Sequence, residues 1–165
     1  KQNDTIKAFQ KENDNYYRAA KGVETEGYEF EITGEVLDGL NVQAGYTHVK
    51  SKDQAGAVVN SDIPQNQFKL FSTYQLPVLD NKLTVGGGVR WQSKFYDSNA
   101  TGLQAEVYTQ KAFSVVDLLL KYEVMQNITL GLNVNNVTDK YYRTNTWANT
   151  YGDPRNFTAS LSYIF

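Results

Sequence analysis

The chain of 165 residues contains no cysteine, which excludes structural disulfides and thiolate metal sites. It contains one histidine, His48, so a metal site built on a histidine pair within the chain is excluded as well. Mean hydropathy is −0.52, and no apolar run approaches the ~20 residues that a membrane-spanning helix needs. A strong charge bias is also lacking. The formal net charge is −2, which gives no basic footprint for nucleic acid. No initiator methionine and no signal peptide open the chain. Its polar start, KQNDTIKAFQKENDN, leads us to expect the carboxy-terminal part, or the ordered part, of a longer protein. None of these absences excludes a membrane protein that crosses with strands, because only about half of a barrel strand is apolar.

What the chain does have is tyrosine and alternation. Aromatics make up 13% of residues, with 12 Tyr, 8 Phe and 2 Trp, enough to supply interfacial belts. In the last fifteen residues, Phe157, Ala159, Leu161, Tyr163 and Phe165 are apolar at every second position, with Thr158, Ser160 and Ser162 between them. Period two places one set on each face of a strand, which is expected to run to Phe165.

The same pattern recurs upstream. Residues 27–36 place Tyr28, Phe30, Ile32 and Val36 opposite Glu29, Glu31, Thr33 and Glu35. A row of like charges demands water or a polar partner on that face. Further strands are expected at 40–49, 68–76, 83–91, 113–122 and 128–136. Residues 1–15 read mostly as loop, with Ile6, Ala8 and Phe9 able to end an upstream strand. The glycine run Gly86–Gly88 fits a bend, or a place where something packs close against the wall.

The connections alternate short and long. Turns at 37–39, 80–81 and 125–127 alternate with loops at 50–62, 93–110 and 139–153. Aromatics gather near strand ends, at Tyr46, Trp91, Phe95, Tyr122, Tyr141, Tyr142, Tyr163 and Phe165. About seven strands with this alternation describe an all-β, antiparallel transmembrane barrel. A soluble sandwich uses the same period with its apolar face inside. The division of charge favours lipid outside, since Glu29, Glu31, Arg90, Asp117 and Lys121 all share the polar face.

Residues 134–142 (VNNVTDKYY), followed by a loop and then residues 151–165, resemble the carboxy-terminal end of TonB-dependent outer-membrane receptors. Residues 26–34 (EGYEFEITG) and 64–74 (PQNQFKLFSTY) are similar to earlier strands of that family. The resemblance covers about residues 23–165, and the ending TWANTYGDPRNF resembles ferric-siderophore receptors for hydroxamate or mixed siderophores. It implies a 22-stranded barrel filled by an amino-terminal plug. Residues 1–165 would be the carboxy-terminal portion of that barrel, the last third of a receptor whose plug and TonB box are absent from this sequence.

The implied function is to bind a ferric siderophore outside a Gram-negative outer membrane and import it when the TonB complex acts on the plug. No cofactor is implied, and iron enters only as chelated substrate. Other implied partners are outer-membrane lipid, lipopolysaccharide and the barrel-assembly machinery. Trp147, Tyr151, Trp91, Tyr96 and Arg143 become candidate siderophore contacts, although Trp91, Tyr141 and Tyr142 are better read as a girdle facing lipid headgroups. Glu29, Glu31, Arg90, Asp117 and Lys121 become a plug-facing wall or ion pairs along it, and Tyr163 and Phe165 an assembly signal. Arg155 and the Asn133, Asn135, Asn136 group suit turn and strand-end hydrogen bonding. His48 lies at a strand end with no nucleophile or acid motif, which makes it interfacial rather than catalytic. Two alternatives remain: a complete eight-stranded barrel with a structural or adhesive role, and a small-barrel enzyme, which the missing catalytic constellation disfavours.

Overall fold

A computed structural model describes residues 2–11, 14–59, 61–97, 108–146 and 150–165, with side chains from residue 22 onward. These residues contain no helix and form eleven strands. The strands are β1 (Gln2–Lys11), β2 (Asp14–Leu37), β3 (Leu40–Lys52), β4 (Val58–Val59), β5 (Asn66–Leu76), β6 (Leu83–Gln92), β7 (Phe95–Tyr96), β8 (Thr109–Gln110), β9 (Phe113–Met125), β10 (Ile128–Asn135) and β11 (Asn156–Tyr163). One antiparallel sheet runs in the order β1-β2-β3-β5-β6-β9-β10-β11, with β4 against β3, and β7 and β8 form a separate ribbon. Neighbours in sequence are neighbours in space, as short hairpins require.

The expected alternation of connections is present. Asp38 and Gly39 join β2 to β3, where Gly39 adopts φ 73° and donates its N–H to Glu35 Oε1 at 2.7 Å. A side chain at Gly39 would also approach the Gln75 carbonyl oxygen at 3.1 Å. The turn between β5 and β6 is wider than residues 80–81, because Leu79, Asp80 and Asn81 all adopt positive φ. Gln75 Nε2 closes it by donating to Asn81 O at 2.7 Å.

The structure corrects the reading of the amino-terminal residues. Residues 2–11 and 14–25 form a paired hairpin, not a loop. Within β2, β3 covers only residues from Glu24 onward, so residues 14–23 pair with β1 alone, beyond the loop-side end of β3. Pairing of this kind needs no apolar alternation, because the backbone ladder itself satisfies the N–H and C=O groups.

That hairpin supplies the eighth strand of the main path, as a small closed barrel would need. However, β1 and β11 stand at opposite ends of the strand order, and no ladder among the described residues joins them. The final strand is also two residues shorter than expected. It ends at Tyr163, after which the Ile164 N–H donates to Asn127 O at 3.0 Å.

The two faces of the sheet differ chemically. Phe30 is 67% exposed, Ile32 64%, Phe157 68% and Leu161 69%, all on the apolar face. An uncovered apolar sheet face of this extent marks a surface for a membrane or another protein. With 11 residues in β5 and 10 in β6, the strands match the roughly 9–11 residues that a tilted strand needs to cross a bilayer.

Candidate functional site

The polar face is built by register. Glu31 lies opposite Gly45, Gly45 opposite Lys69, and Lys69 opposite Arg90. Glu29, Glu31, Gln43, Thr47, Lys69, Phe71, Arg90 and Asp117 line a concavity of about 400 Å³ on this face. Arg90 pairs with Asp117 at 3.5 Å, and Glu29 accepts a hydrogen bond from the Thr47 hydroxyl at 3.1 Å. Four of the five wall residues read from sequence therefore lie around one hollow. Lys121 lies outside it and pairs with Glu123 at 3.8 Å. Lys69, which the sequence reading passed over, stands opposite Arg90 in the same hollow as Glu29, Glu31 and Asp117.

The glycine run explains Phe71, an aromatic that interrupts the polar face. Phe71 lies opposite Gly88, and a Cβ there would meet its ring at 3.1 Å. On the other face, Leu118 covers Gly87 in the same way. The strands thus tile large side chains over bare backbone on both sides of the wall.

At the loop end, a turn fastens the last long connection. Asn136 is buried and adopts φ 50°. Its Nδ2 donates to the carbonyls of Lys140 and Asp153, both at 2.9 Å, while its Oδ1 accepts from Lys140 N at 2.8 Å. Asp139 Oδ1 accepts from Arg155 N at 2.9 Å, and the Arg155 guanidinium reaches Val137 O. The Asn-Asn and Tyr-Gly-Asp-Pro-Arg segments are therefore two halves of one hydrogen-bonded staple. Asn135 Nδ2 adds a rung to Asn156 Oδ1 at 2.8 Å.

Above the staple, Gly152 N donates to Tyr142 O and Thr144 N to Thr150 O, both at 3.0 Å, with Arg143 and Tyr151 bridged between them. This small hairpin presents Tyr141 stacked on Tyr151 at 4.5 Å, with the Arg143 guanidinium 5.8 Å from the Tyr151 ring. Hydrogen bonding to Tyr151 holds the Tyr141 hydroxyl above the ordinary tyrosine value of 10.0. Hydrogen bonding to Tyr141, then to Arg143, lowers Tyr151. An aromatic ledge carrying one cation can stack on a flat ligand and attract an anionic one.

Tyr141 and Tyr142, two of the residues read as girdle, have partners in the loops. Tyr141 belongs to this ledge, and Tyr142 stacks on Phe113 at 4.4 Å. Phe95, with Phe113 and Val115, forms a small buried cluster against Tyr142. Adjacent aromatics in a loop have no period, so sequence could not separate Tyr141 from Tyr142.

The other candidates divide. Tyr96 sits in the β7–β8 ribbon, donates its N–H to Ser61 O at 2.7 Å and carries Lys94 Nζ 5.5 Å above its ring. Trp91 lies opposite Phe68 on the apolar face, away from the ledge. Trp147 lies outside the described residues. His48 stacks on Tyr28 at 5.0 Å, and both His48 Nδ1 and the Tyr46 hydroxyl hydrogen-bond Asn66 Oδ1.

A family model described as TonB dependent receptor-like, beta-barrel matches residues 2–137. The chain belongs to that family. This receptor chain is 42% identical over 154 residues to the ferripyoverdine receptor of Pseudomonas aeruginosa, a match covering 89% of the chain and 19% of that relative. It is 28% identical over 176 residues to a ferrioxamine B receptor of Salmonella typhimurium, covering 99% of the chain and 24% of the relative. Among solved structures, the pyoverdine outer membrane receptor FpvA from Pseudomonas aeruginosa bound to pyoverdine superposes with a TM-score of 0.83 and 36% identity, over 99% of this chain and 26% of that one. The receptor chain is the carboxy-terminal part of such a barrel. It spans about a fifth of the first relative's length, less than the third expected from sequence.

Proposed function

We propose that this chain is part of an outer-membrane receptor that binds a ferric siderophore at its loop end and imports it by TonB-dependent transport, without covalent change to the cargo. The observation that carries the reading is the Tyr141–Tyr151–Arg143 ledge, held by the Asn136 staple at the loop end of a sheet whose other face is apolar and uncovered. Likeness to receptors named for ferripyoverdine and ferrioxamine B supports a cargo of hydroxamate or mixed type. A conjugated, negatively charged chelate would use both the rings and the cation. Trp147 and Tyr96 complete the proposed contact set.

In this reading, Glu29, Glu31, Lys69, Arg90 and Asp117 face the receptor's own plug, through which the TonB complex acts. The apolar face meets outer-membrane lipid and lipopolysaccharide, and the barrel-assembly machinery inserts the chain. A closed eight-stranded barrel is disfavoured by the unpaired ends of the strand order and by the greater length of the relatives. The test is uptake of radioactive iron by iron-starved cells that carry the full-length gene as their sole siderophore receptor. Ferripyoverdine and ferrioxamine B are supplied separately. Saturable uptake of one of them, abolished by deleting the gene, is the expected result. Equal uptake with and without the gene for every ferric siderophore supplied would overturn the reading.

A further inference from the structure

The loop hairpin has an outer edge. Its internal bonds run from Gly152 N to Tyr142 O and from Thr144 N to Thr150 O, which leaves the Arg143 N–H directed away from its own partner strand. That N–H does not end in solvent. It donates to Gln110 Oε1 at 2.8 Å, thirty-three residues earlier in the chain. Gln110 belongs to β8, part of the ribbon that rises from the neighbouring long loop. Its amide has a fixed sense, because Nε2 donates to Lys111 O at 2.8 Å and so turns Oε1 towards Arg143. Three residues on, Phe113 stacks on Tyr142, beside Arg143. Gly152 gives that ring its place, since a Cβ there would overlap the Tyr142 ring.

We infer that Gln110 is a positioning residue for the ligand ledge: its side-chain carbonyl extends the β8 ribbon onto the edge of the 142–152 hairpin and sets where Arg143 and Tyr151 stand. The inference rests on the ledge being the siderophore surface proposed above. Two successive residues share the attachment, Tyr142 through its ring and Arg143 through its backbone. The hydrogen bond fixes the hairpin along its length, which the ring stack alone leaves free to slide. The two long loops consequently meet the ligand as one surface, although Gln110 itself touches none of the ledge rings.

The experiment uses the full-length receptor in outer-membrane preparations, as wild type, Gln110→Ala, Gln110→Glu and Tyr151→Ala. Hydrogen exchange at the Arg143 amide is followed by mass spectrometry without ligand, and ferripyoverdine affinity by fluorescence quenching. Gln110→Ala should speed exchange at Arg143 and weaken ferripyoverdine binding, each by about tenfold, the scale of one lost hydrogen bond. Surface abundance should stay unchanged. Gln110→Glu keeps an acceptor oxygen for Arg143 but loses the Nε2–H that bonds Lys111 O, so it should bring exchange at Arg143 closer to wild type than Gln110→Ala does.

Wild-type exchange in Gln110→Ala would overturn the inference. So would a Gln110→Glu variant whose Arg143 amide exchanges as fast as in Gln110→Ala, because the acceptor would then be irrelevant. Faster exchange with unchanged affinity also overturns the positioning role, and Tyr151→Ala tells the cause. If Tyr151→Ala weakens binding, Gln110 does not position the ledge. If Tyr151→Ala binds normally, the ledge is not the ligand surface, and the functional reading fails with it.

Discussion

Asp117 accepts the backbone N–H of Asn136 at 2.8 Å through Oδ1, while its Oδ2 lies 3.5 Å from Arg90. One carboxylate thus serves the wall of the sheet and the staple of the last loop. The two roles can be separated by substitution. Asp117→Asn can keep an acceptor for Asn136 and loses the ion pair, which is partly exposed and worth less than about 1 kcal/mol. Asp117→Ala also strands the Asn136 N–H, at about 1–3 kcal/mol. Urea unfolding of the full-length barrel in lipid vesicles should place Asp117→Asn near wild type and Asp117→Ala clearly below it. Equal loss in both would assign the stability to charge instead.

The glycine run makes a steric prediction. A methyl group at Gly88 would stand 3.0 Å from the Leu70 carbonyl oxygen and 3.1 Å from the Phe71 ring. The ring can turn away, but the carbonyl is held by the ladder. Gly88→Ala should cost about 1–3 kcal/mol, the usual range for overpacking. Gly34, with nothing within 4 Å, is the control and should tolerate alanine. Folded yield of the two variants in outer membranes measures the difference, and equal yields would rule out close packing at Gly88.

The ledge tyrosines should titrate in order. Tyr151 is lowered from 10.0 by its hydrogen bonds to Tyr141 and Arg143, so its phenolate is favoured in the folded loop. Its contribution to loop stability is present above the unfolded value of 10.0 and is lost as pH falls through the lower folded value. Tyr141 is raised, and its contribution is present below 10.0 and is lost as pH rises through its higher folded value. Difference absorbance should show one tyrosine ionising early, and Tyr151→Phe should delete that step. Persistence of the step in Tyr151→Phe would show that another tyrosine produces it.

The terminus offers a third separation. Phe165 is fully exposed, and the β10–β11 ladder ends without it, at Ile128 and Tyr163. Deleting Phe165 should therefore leave the folded sheet intact and act before it, on insertion. Pulse-labelled receptor should reach the outer membrane more slowly, while the molecules that arrive unfold like wild type. Unchanged insertion kinetics would remove Phe165 from assembly.

Sequence revealed the strands whose two faces meet different solvents. Tyr28 to Val36 alternates because Phe30 and Ile32 stand on one face and Glu29 and Glu31 on the other, and a period of two records this directly. The β1–β2 hairpin escaped because its residues alternate poorly, leaving only a backbone ladder that composition does not encode. At the site, the wall carboxylates and Tyr151 were legible as residue types at strand ends and in a loop. Gln110 was not, since a glutamine in a polar loop carries no signal, and its partner is remote in sequence. The partnership of Phe71 with Gly88 depends on register, which only the pairing of β5 with β6 supplies.

Among the described residues, the strand order leaves β1 and β11 each with one open side. On its own in water, this stretch of polypeptide would combine two hydrogen-bonding margins with a greasy surface, the combination that templates fibrillar stacking. A proteolytic nick that released it would yield a segment prone to stack on its own copies rather than a soluble remnant.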